Sequence, residues 1–336
     1  MDLSIIIVNW NSTEYLRACL RTITGQTSRL RYEIIVVDNA SFDGCGELLV
    51  REHPEVVFLQ SHQNLGFASA NNLGAACARG EVLLFLNPDT EIRGNAIERL
   101  YEALTSLTDA GVLGCRLLSS NGSLQTSCVQ ALPTVWNQLL DAEVLRWWLP
   151  QARIWGTAAL HDGGPLPFPV QAVSGACMMI RRSAFERVQG FSADYFMYGE
   201  DLDLCWKMRC TDLNNYYLHE AVVVHHGGGS SRQAPSALST VMMRQSVARF
   251  LHISQGPFAS RSYRVAMWLS ATFRLGLLAA IFPLAILTYK LDWWQSVARK
   301  WWAIWRWAVG MAVEGMPDDP RQEPLTHLAS RREGHH

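Results

Sequence analysis

Residues 81–90, EVLLFLNPDT, place an uninterrupted apolar run directly before Asn87, Pro88 and Asp89. The run has the length and composition of a β-strand that is buried on both faces. From this stretch alone, three interpretations of the polar end stay open. It could be an ordinary turn, since Asn-Pro-Asp is common turn chemistry, a metal site on Asp89, or a general base.

Three similar apolar runs precede this one, and segments with helical spacing separate them. The predicted strands are residues 3–10, 32–41 and 56–62, and the predicted helices include residues 12–26 and 68–80. Strands that are apolar on both faces and alternate with helices are typical of a mostly parallel sheet with both faces covered. The sequence therefore predicts an α/β fold whose ligands bind beyond the carboxyl ends of the strands.

Polar residues stand at the end of each predicted strand. In chain order they are Asn9 and Asn11, then Asp38 and Asn39, then Asn64 with Gly66 and Phe67, and finally Asn87 and Asp89. A turn explains any one set, but four sets on one edge predict a crevice for a polar ligand. The chain has no glycine-rich phosphate-binding pattern, so a nucleotide's phosphates would need another counter-charge, and a cation on Asp89 would supply it.

The second half of the chain adds further acids. Residues 173–180 have the pattern of a buried strand, and Gly199 precedes a predicted helix that begins with Glu200 and Asp201. The two acids could simply cap the helix, because negative charge is favourable at a helix N-terminus. Alternatively, one of them is a general base whose pKa is raised by aromatic neighbours. The residues alone leave both interpretations open.

Two histidines end another apolar strand. His225 and His226 precede three glycines and two serines, the first of them Ser230. Imidazole is a common metal ligand, and glycine-rich backbone with hydroxyl groups allows phosphate oxygens to approach closely. A histidine pair is usually structural, but this position before a glycine-rich loop favours a functional role.

The overall composition narrows the class of protein. The chain has 336 residues, 49% of them hydrophobic, and a formal net charge of −1, which argues against a nucleic-acid-binding protein. Its eight cysteines include no Cys-x-x-Cys pair, and its first residues lack the pattern of a signal peptide. We therefore expect reduced thiols and a cytosolic catalytic part.

The C-terminal part has a different character. Residues 265–289 carry one charge, Arg274, and are long enough to cross a bilayer of about 30 Å. Residues 293–310 mix tryptophan with arginine and lysine, which is typical of a membrane interface. Arg274 and Pro283 disfavour a clean span. We therefore favour peripheral or monotopic attachment to the cytoplasmic face of the inner membrane over a spanning segment or a helical appendage packed on protein.

These observations predict three parts. The first is a catalytic domain over residues 1–256, with an acceptor-side insertion at about residues 119–169. The second is a hydrophobic, Trp-rich, membrane-associating helical region over residues 257–312. The third is a polar tail over residues 313–336, which we expect to be disordered.

Six segments carry a resemblance to a known family. They are SIIIVNWNS (4–12), EIIVVDNASFDG (33–44), NLGFASANNLGAACARGEVLLFLNPDT (64–90), VSGACMMIRRSAFERVQGF (173–191), FMYGEDLDLCWKMR (196–209) and HHGGGSS (225–231). In this order they resemble family 2 glycosyltransferases of the GT-A fold, especially the bacterial rhamnosyltransferase-like branch. The resemblance implies a nucleotide-sugar donor, a divalent cation (Mg²⁺ or Mn²⁺), and an inverting displacement at the anomeric carbon.

The resemblance also implies roles for particular residues. Asp89 matches the last acid of the family's Asp-x-Asp metal motif, with Asn87 in place of the first acid, and His225 would be a further ligand, although His226 stays open as an alternative. Asp201 matches the family's base, and Glu200 would orient the acceptor. The residues expected to line the nucleotide sugar are Asn9, Asn11, Asp38, Asn39, Asn64, Gly66, Phe67, Asn72, Asn87, Gly175 and Ser230, among which Asp38 matches the acid that accepts from the pyrimidine ring N–H.

The implied reaction is the transfer of L-rhamnose from dTDP-L-rhamnose to a polyprenyl-diphosphate-linked saccharide in cell-envelope polysaccharide synthesis, by a chain that could form homo-oligomers. Galactofuranose, glucose or N-acetylhexosamine donors remain alternatives. So does a non-catalytic nucleotide-sugar-binding subunit of an envelope assembly complex. A nucleotidyltransferase would need a basic glycine-rich loop near the N-terminus, and NWNSTEYL (9–16) is not one.

Overall fold

The computed structural model describes residues 1–139, 152–160, 167–227, 236–287 and 291–313. The strands are β1 (Leu3–Asn9), β2 (Tyr32–Asn39), β3 (Val57–Ser61), β4 (Val82–Leu86), β5 (Thr90–Arg93), β6 (Ala110–Leu118), β7 (Val129–Gln130), β8 (Phe168–Val170), β9 (Ala172–Val173), β10 (Cys177–Arg181) and β11 (Asn214–His225). The helices are α1 (Thr13–Gln26), α2 (Cys45–Glu52), α3 (Gly66–Cys77), α4 (Ala96–Ser106), α5 (Val135–Leu139), α6 (Arg182–Arg187), α7 (Glu200–Arg209), α8 (Ser236–Gln255), α9 (Pro257–Leu287) and α10 (Leu291–Ala308).

A nine-stranded sheet forms the centre of the fold, in the order β3-β2-β1-β4-β10-β6-β11-β5, with β8 also paired to β11. Strands β1, β2, β3, β4, β6 and β11 run in one direction, whereas β5, β8 and β10 run in the other. The sheet is therefore mostly parallel, as the sequence predicts, with antiparallel strands inserted in its second half.

The core explains why the predicted strands are continuously apolar. Every residue of β4 is buried, and β1 buries all but one of its residues. Strands this deep need apolar side chains on both faces, because neither face contacts water. The polar residues Asn9 and Asp38 at the ends of β1 and β2 lie opposite each other in register. The shared register brings the strand ends to one edge, where ligands bind in such sheets.

The predicted strand over residues 173–180 is wrong in its continuity. The structure divides it into β9 and β10, and residues 174–176 between them leave the ladder. The backbone N–H of Gly175 donates to the carboxylate of Asp201 instead. The interruption therefore directs backbone polar groups toward the carboxyl edge of the sheet.

The chain divides into two compact units. The first comprises Met1–Ala234 and Met243–Ala266, and the second comprises Pro235–Met242 and Met267–His336. The predicted boundary after residue 256 and the insertion at about 119–169 stay predictions. Residues 140–151 and 161–166 of that insertion, and nearly all of the predicted tail, lie outside the described residues.

Within the second unit, tryptophans join α9 to α10. Trp294 donates to the backbone carbonyl of Leu278 (2.8 Å), and Trp305 donates to Thr272 (3.1 Å). The Arg274 guanidinium lies 4.1 Å from the centre of the Trp301 ring. The charge that interrupts the apolar segment is therefore covered by an aromatic face.

Helix α9 also carries an exposed apolar stripe. At intervals of four residues, the exposed side chains are Val265, Leu269, Phe273, Leu277 and Ile281. Among the described residues, Pro257–Pro283 is the one stretch that length and composition would allow to cross a membrane. Length and composition are weak evidence on their own, since a core helix of a soluble protein can share both.

All eight cysteines are free, and six of them are buried. Cys19, Cys115 and Cys177 lie in the apolar core. The buried cysteines therefore serve as small apolar side chains.

Candidate active site

At the end of β1, Asn9 ties two strand ends together. Its amide donates to Asp38 (2.8 Å), Ser41 (3.0 Å) and Asp43 (3.1 Å), and its oxygen accepts from Ser12. Asn9 is completely buried. Its polar groups are thus engaged in shaping the loop after β2, while its predicted contact with a nucleotide stays a prediction.

Asp38 is the most heavily hydrogen-bonded carboxylate at this edge. Gln60 donates to it at 2.7 Å, Ser41 donates through its hydroxyl group, and Phe42 through its backbone N–H. Burial acts to raise the pKa of Asp38, but the hydrogen bonds from Ser41, Gln60 and Asn9 outweigh it and lower that pKa. Asp38 is therefore an anion at neutral pH, as an acceptor for a ring N–H would have to be.

A cleft of about 570 Å³ opens beside Asp38. Its walls combine three polar side chains, Asp38, Glu47 and Gln60, with the apolar side chains of Phe42, Val50 and Phe58. A volume of this size and a mostly apolar wall with few polar groups are typical of small-ligand sites. Asp38 gives the wall of this cleft a charged hydrogen-bond acceptor.

The neighbouring strand end forms a second polar cluster. Asn39 donates to the side chain of Asn64 (2.9 Å) and accepts from the backbone N–H of Leu65 (2.8 Å). Asn64 in turn accepts from the backbone N–H of Gly66 (2.9 Å). The two asparagines thus fix the start of α3 through its backbone.

Gly66 is required by close packing. Its φ of 74° is left-handed, and a Cβ atom there would lie 2.4 Å from the carbonyl oxygen of Phe196. The next residue, Phe67, donates its backbone N–H to that same oxygen (3.1 Å). The start of α3 is therefore held directly against the segment that leads to Glu200 and Asp201.

Asn72 binds the backbone of the same segment, which leads to Glu200 and Asp201. Its amide donates to the carbonyl of Phe191 (2.8 Å) and accepts from the N–H of Phe191 (2.9 Å). The two bonds use one donor and one acceptor of the side chain in a clamp on the backbone. A contact between Asn72 and a sugar stays a prediction.

Asn87, Asp89 and His225 come together at the ends of β4 and β11. Nε2 of His225 lies 3.4 Å from Oδ1 of Asp89 and 3.4 Å from the amide nitrogen of Asn87. The backbone N–H of His226 also donates to the carbonyl of Asp89 (2.9 Å). The structure therefore brings together the residues that the sequence predicts as metal ligands.

This pair fits a divalent cation that a substrate also coordinates. A carboxylate oxygen and an imidazole nitrogen at this separation are close enough for one ion to contact both. The described residues hold no group of three or more His, Cys, Asp or Glu that could enclose a metal ion by themselves. Magnesium-type sites commonly use one or two protein ligands together with substrate phosphates. The donor set thus matches a nucleoside diphosphate complex better than a structural metal site.

Asp201 lies at the first turn of α7, beside the interruption between β9 and β10. Its Oδ2 accepts from the N–H of Gly175 (3.0 Å), and its Oδ1 accepts from its neighbour Leu202 (2.8 Å). Burial raises the pKa of Asp201, while these two N–H groups hold the rise back. A carboxylate with a raised pKa suits proton abstraction.

Glu200 has a different environment. It is buried, and its Oε2 has no hydrogen-bond partner among the described residues. Burial, followed by the negative charge of Asp201, raises the pKa of Glu200 to about 8. The raised pKa favours the protonated form of Glu200, in which it can donate a hydrogen bond, whereas the two N–H groups on Asp201 favour its carboxylate form.

The backbone before α7 is unusual. Tyr198 and Gly199 both have left-handed φ values, 71° and 85°. Such a conformation is unfavourable for tyrosine, so surrounding contacts must hold it. The loop that leads to this turn is tied to α7 by Asp203, which accepts from Ser192 (2.5 Å) and whose Oδ2 lies 3.6 Å from Nζ of Lys207.

Two predicted residues are not part of these clusters. Asn11 is exposed and has a left-handed φ of 51°. Ser230 lies outside the described residues. The ring of His226, the alternative ligand, contacts other residues: its Nε2 lies 2.9 Å from Glu91, and its Nδ1 lies 2.8 Å from the hydroxyl oxygen of Ser120.

Several residues of the site were missed by sequence reasoning. Gln60 contacts Asp38, Gln125 contacts His225 and Asp203 supports the loop before α7. Gln60 stands near the end of a predicted strand, next to Ser61, and Asp203 follows the acid pair by two residues. The sequence positions of both residues therefore gave a weak indication that they lie near the site. The position of Gln125 gave none, because its partner lies 100 residues away in the chain.

The chain matches known proteins over most of this region. The family model "Glycosyl transferase family 2" matches residues 4–189. An N-acetylglucosaminyl-diphospho-decaprenol L-rhamnosyltransferase of Mycobacterium tuberculosis is 30% identical over 215 residues, which are 60% of this chain and 68% of that protein. The rhamnosyltransferase WbbL of Escherichia coli is 25% identical over 226 residues, 64% of this chain and 79% of that protein.

Solved structures support the same fold. The mannosyltransferase PcManGT of Pyrobaculum calidifontis, in complex with GDP-Man and Mn²⁺, aligns with a TM-score of 0.53 at 18% identity, over 91% of this chain and 86% of that one. GalNAc-T7 with UDP, GalNAc and Mn²⁺ aligns with a TM-score of 0.55 at 17% identity, over 75% of this chain. The alignment spans about half, 48%, of the GalNAc-T7 chain. At these identities the likeness establishes the GT-A fold alone.

Proposed function

The chain belongs to glycosyl transferase family 2, and from this membership we propose that it transfers L-rhamnose from dTDP-L-rhamnose to a lipid-linked saccharide. The names of the Mycobacterium tuberculosis and Escherichia coli relatives support the sugar. The name of the first relative supports a polyprenyl-diphosphate-linked acceptor of the kind used in cell-envelope polysaccharide synthesis.

One observation carries the proposal: the segment between β9 and β10 contacts both the candidate base and the candidate metal motif. Gly175 donates to Asp201, and the carbonyl of Ala176 accepts from the backbone N–H of Asn87 (3.0 Å). A displacement at an anomeric carbon needs a proton acceptor on one side and a stabilised leaving group on the other. This segment fixes both within one short piece of backbone.

The acid pair, Glu200 and Asp201, acts on the acceptor. Asp201 removes the proton from the attacking hydroxyl group, because its carboxylate is stabilised by two N–H groups yet has a raised pKa. Protonated Glu200 donates a hydrogen bond that orients the acceptor. Direct attack inverts the configuration at the anomeric carbon and requires no covalent intermediate.

The donor side falls to the edge formed by Asp38, Asn87, Asp89 and His225. Asp38 accepts a hydrogen bond from the ring N–H of the pyrimidine, and the cleft beside Asp38 receives the pyrimidine ring. Asp89 and His225 would hold the divalent cation, Mg²⁺ or Mn²⁺. When bound, this cation would offset the negative charge that develops on the departing nucleoside diphosphate.

Membrane attachment would bring the enzyme to its acceptor. The exposed stripe of α9 and the Trp-rich α10 supply apolar and interfacial side chains. Such a surface suits the cytoplasmic face of the inner membrane, where a polyprenyl-linked saccharide would be presented. We therefore propose peripheral or monotopic attachment.

A panel of nucleotide sugars tests the function directly. The full-length chain in membranes is offered dTDP-L-rhamnose, UDP-galactofuranose, UDP-glucose and UDP-N-acetylhexosamines, and released nucleoside diphosphate and labelled lipid are both measured. We expect turnover with dTDP-L-rhamnose, and loss of turnover in Asp201→Asn. Turnover with another donor, and none with dTDP-L-rhamnose, would replace L-rhamnose in the proposal with the sugar of that donor. Donor binding without any transfer would instead support the non-catalytic subunit.

A further inference from the structure

Gln125 makes two hydrogen bonds to a single residue, His225. Its amide nitrogen donates to the backbone carbonyl of His225 (2.7 Å), and its amide oxygen lies 2.9 Å from Nδ1 of the same residue. Gln125 itself is anchored by its backbone N–H, which donates to the carbonyl of Leu117 (2.9 Å). The side chain therefore approaches His225 from a fixed position.

These two contacts determine which nitrogen of the neutral imidazole ring carries the hydrogen. A backbone carbonyl can only accept a hydrogen bond, so the Gln125 atom that faces it must be the amide nitrogen. The atom that faces Nδ1 is then the amide oxygen, which can only accept. Nδ1 of His225 must therefore carry a hydrogen, and in the neutral ring Nε2 carries the lone pair.

The lone pair at Nε2 faces the candidate metal motif. Oδ1 of Asp89 and the amide nitrogen of Asn87 both lie 3.4 Å from it. The Asn87 amide can donate to Nε2, but the Asp89 oxygen and Nε2 are both electron-pair donors. Two such donors can therefore coordinate one cation that lies between them.

We propose that Gln125 is a positioning residue that holds neutral His225 as the Nδ1–H tautomer, with Nε2 directed toward Asp89 as a ligand for a divalent cation. The cation rests on the proposed function, whereas the tautomer rests on the hydrogen bonds alone. Hydrogen-bond partners of metal-bound histidines typically change metal affinity by about 10- to 100-fold. Gln125 belongs to the predicted acceptor-side insertion, so this segment would also contribute to the donor side.

His226 provides an internal comparison. Its Nε2 lies 2.9 Å from Glu91, and its Nδ1 lies 2.8 Å from Ser120. A carboxylate accepts a hydrogen from Nε2, so the neutral ring of His226 should be the Nε2–H tautomer. The two adjacent histidines are thus expected to show opposite tautomers in one spectrum.

The experiment measures ¹⁵N chemical shifts of histidine side chains in the full-length, metal-free protein in detergent, at a pH where both rings are neutral. His225→Gln and His226→Gln assign the signals. We expect a protonated Nδ1 and an unprotonated Nε2 for His225, and the reverse for His226. A His225 ring protonated at Nε2 in the wild-type protein would overturn the inference without any Gln125 variant.

Two substitutions separate hydrogen bonding from simple space filling. Gln125→Met keeps the length but removes both hydrogen bonds, so the Nε2–H tautomer should appear and Mn²⁺ affinity in the presence of dTDP should fall by about 10-fold or more. Gln125→Glu keeps an oxygen that accepts from Nδ1–H and should keep the wild-type tautomer. An unchanged tautomer in Gln125→Met would overturn the proposal.

Manganese binding distinguishes this inference from the proposed function. Mn²⁺ alone and Mn²⁺ with dTDP are titrated into each protein, and free Mn²⁺ is measured by electron paramagnetic resonance. A wild-type protein that binds no Mn²⁺ under either condition would overturn both the metal in the proposed function and the ligand role of His225. A weakened affinity in Gln125→Met together with the tautomer change supports the proposal in full.

Discussion

The backbone N–H of Gly175 donates a 3.0 Å hydrogen bond to Oδ2 of Asp201. The two residues are in close contact: a Cβ atom at Gly175 would lie 3.4 Å from Cβ of Asp201. The bond stabilises the carboxylate form of Asp201. It gives the two adjacent acids different proton affinities, which acid–base chemistry requires.

Asp201→Asn tests the assignment of the base. The amide keeps the size and can still accept from Gly175, but it cannot take up a proton at neutral pH. We expect transfer to fall by roughly 10²-fold or more, with little change in donor affinity. Initial rates and dTDP-sugar titrations measure the two quantities. A larger loss in the matched variant Glu200→Gln would assign the base to Glu200 instead.

Asp89→Ala should weaken nucleoside diphosphate binding and remove most turnover, because the cation loses its carboxylate ligand. His225→Ala should have the same effect to a smaller degree. The measurement is dTDP affinity by calorimetry with and without Mn²⁺. The wild-type protein treated with chelator should resemble Asp89→Ala. Wild-type rates of transfer by Asp89→Ala in the presence of chelator would contradict a role for the metal in the reaction.

Glu200 should make the protein less stable as the pH rises. Its pKa is raised from the ordinary value of 4.5 to about 8 in the folded protein, because burial and Asp201 disfavour its charge. The folded state then binds the proton more tightly than the unfolded state, so this contribution is complete below about pH 4.5 and is lost as the pH rises through 8. Glu200→Gln should remove that part of the decline. Melting temperatures at pH 5.5, 7 and 8.5 provide the comparison, and identical profiles for both proteins would contradict it.

Asp203→Ala should destabilise the loop that presents the acid pair. The substitution leaves Lys207, whose side chain is only 19% exposed, without the carboxylate at 3.6 Å. Removing one partner of a buried ion pair typically costs about 3–5 kcal/mol, and partial exposure of Lys207 places this case near the lower value. Chemical denaturation measures the loss. Glu14→Ala, which removes the exposed partner of Arg17, should leave the midpoint nearly unchanged.

The apolar stripe of α9 should carry membrane binding. Leu269 and Phe273 are 56% and 67% exposed, so their replacement by glutamine removes apolar surface without opening the core. We expect at least a 10-fold weaker partition onto anionic vesicles, since burying such side chains contributes about 1.5–3 kcal/mol each. Leu73→Gln, at an exposed leucine of the catalytic unit, is the matched control. Equal sedimentation of both variants with vesicles would contradict the membrane role.

The sequence predicts the first half of the sheet because each strand there is specified locally. Strands β1, β2 and β4 are continuous apolar runs that end in polar residues, and their boundaries differ from the prediction by a few residues. The approach of Asn9 to Asp38 also follows, since parallel neighbours end at the same edge. These relationships depend on strand periodicity alone, which a sequence displays directly.

The rest of the site depends on contacts between distant segments. Gly175 reads as part of a strand, and only the position of α7 explains why it leaves the ladder. Gln125 is an ordinary polar residue until β11 places His225 beside it. Tertiary contacts decided these cases, and no local pattern encodes them.

The buried thiols have a practical consequence for chemical labelling. Cys77 and Cys210 are exposed, whereas the other six cysteines are enclosed, and burial raises the pKa of Cys19 to about 12. An alkylating reagent should therefore modify two sites quickly and the remaining six only as the sheet opens. Cys19 lies directly beneath the metal motif, with its Sγ 3.9 Å from the carbonyl oxygen of Asn87. The alkylation rate of Cys19 would therefore report local opening at that motif. A bound donor should lower the alkylation rate of Cys19 and leave the rate of Cys77 unchanged.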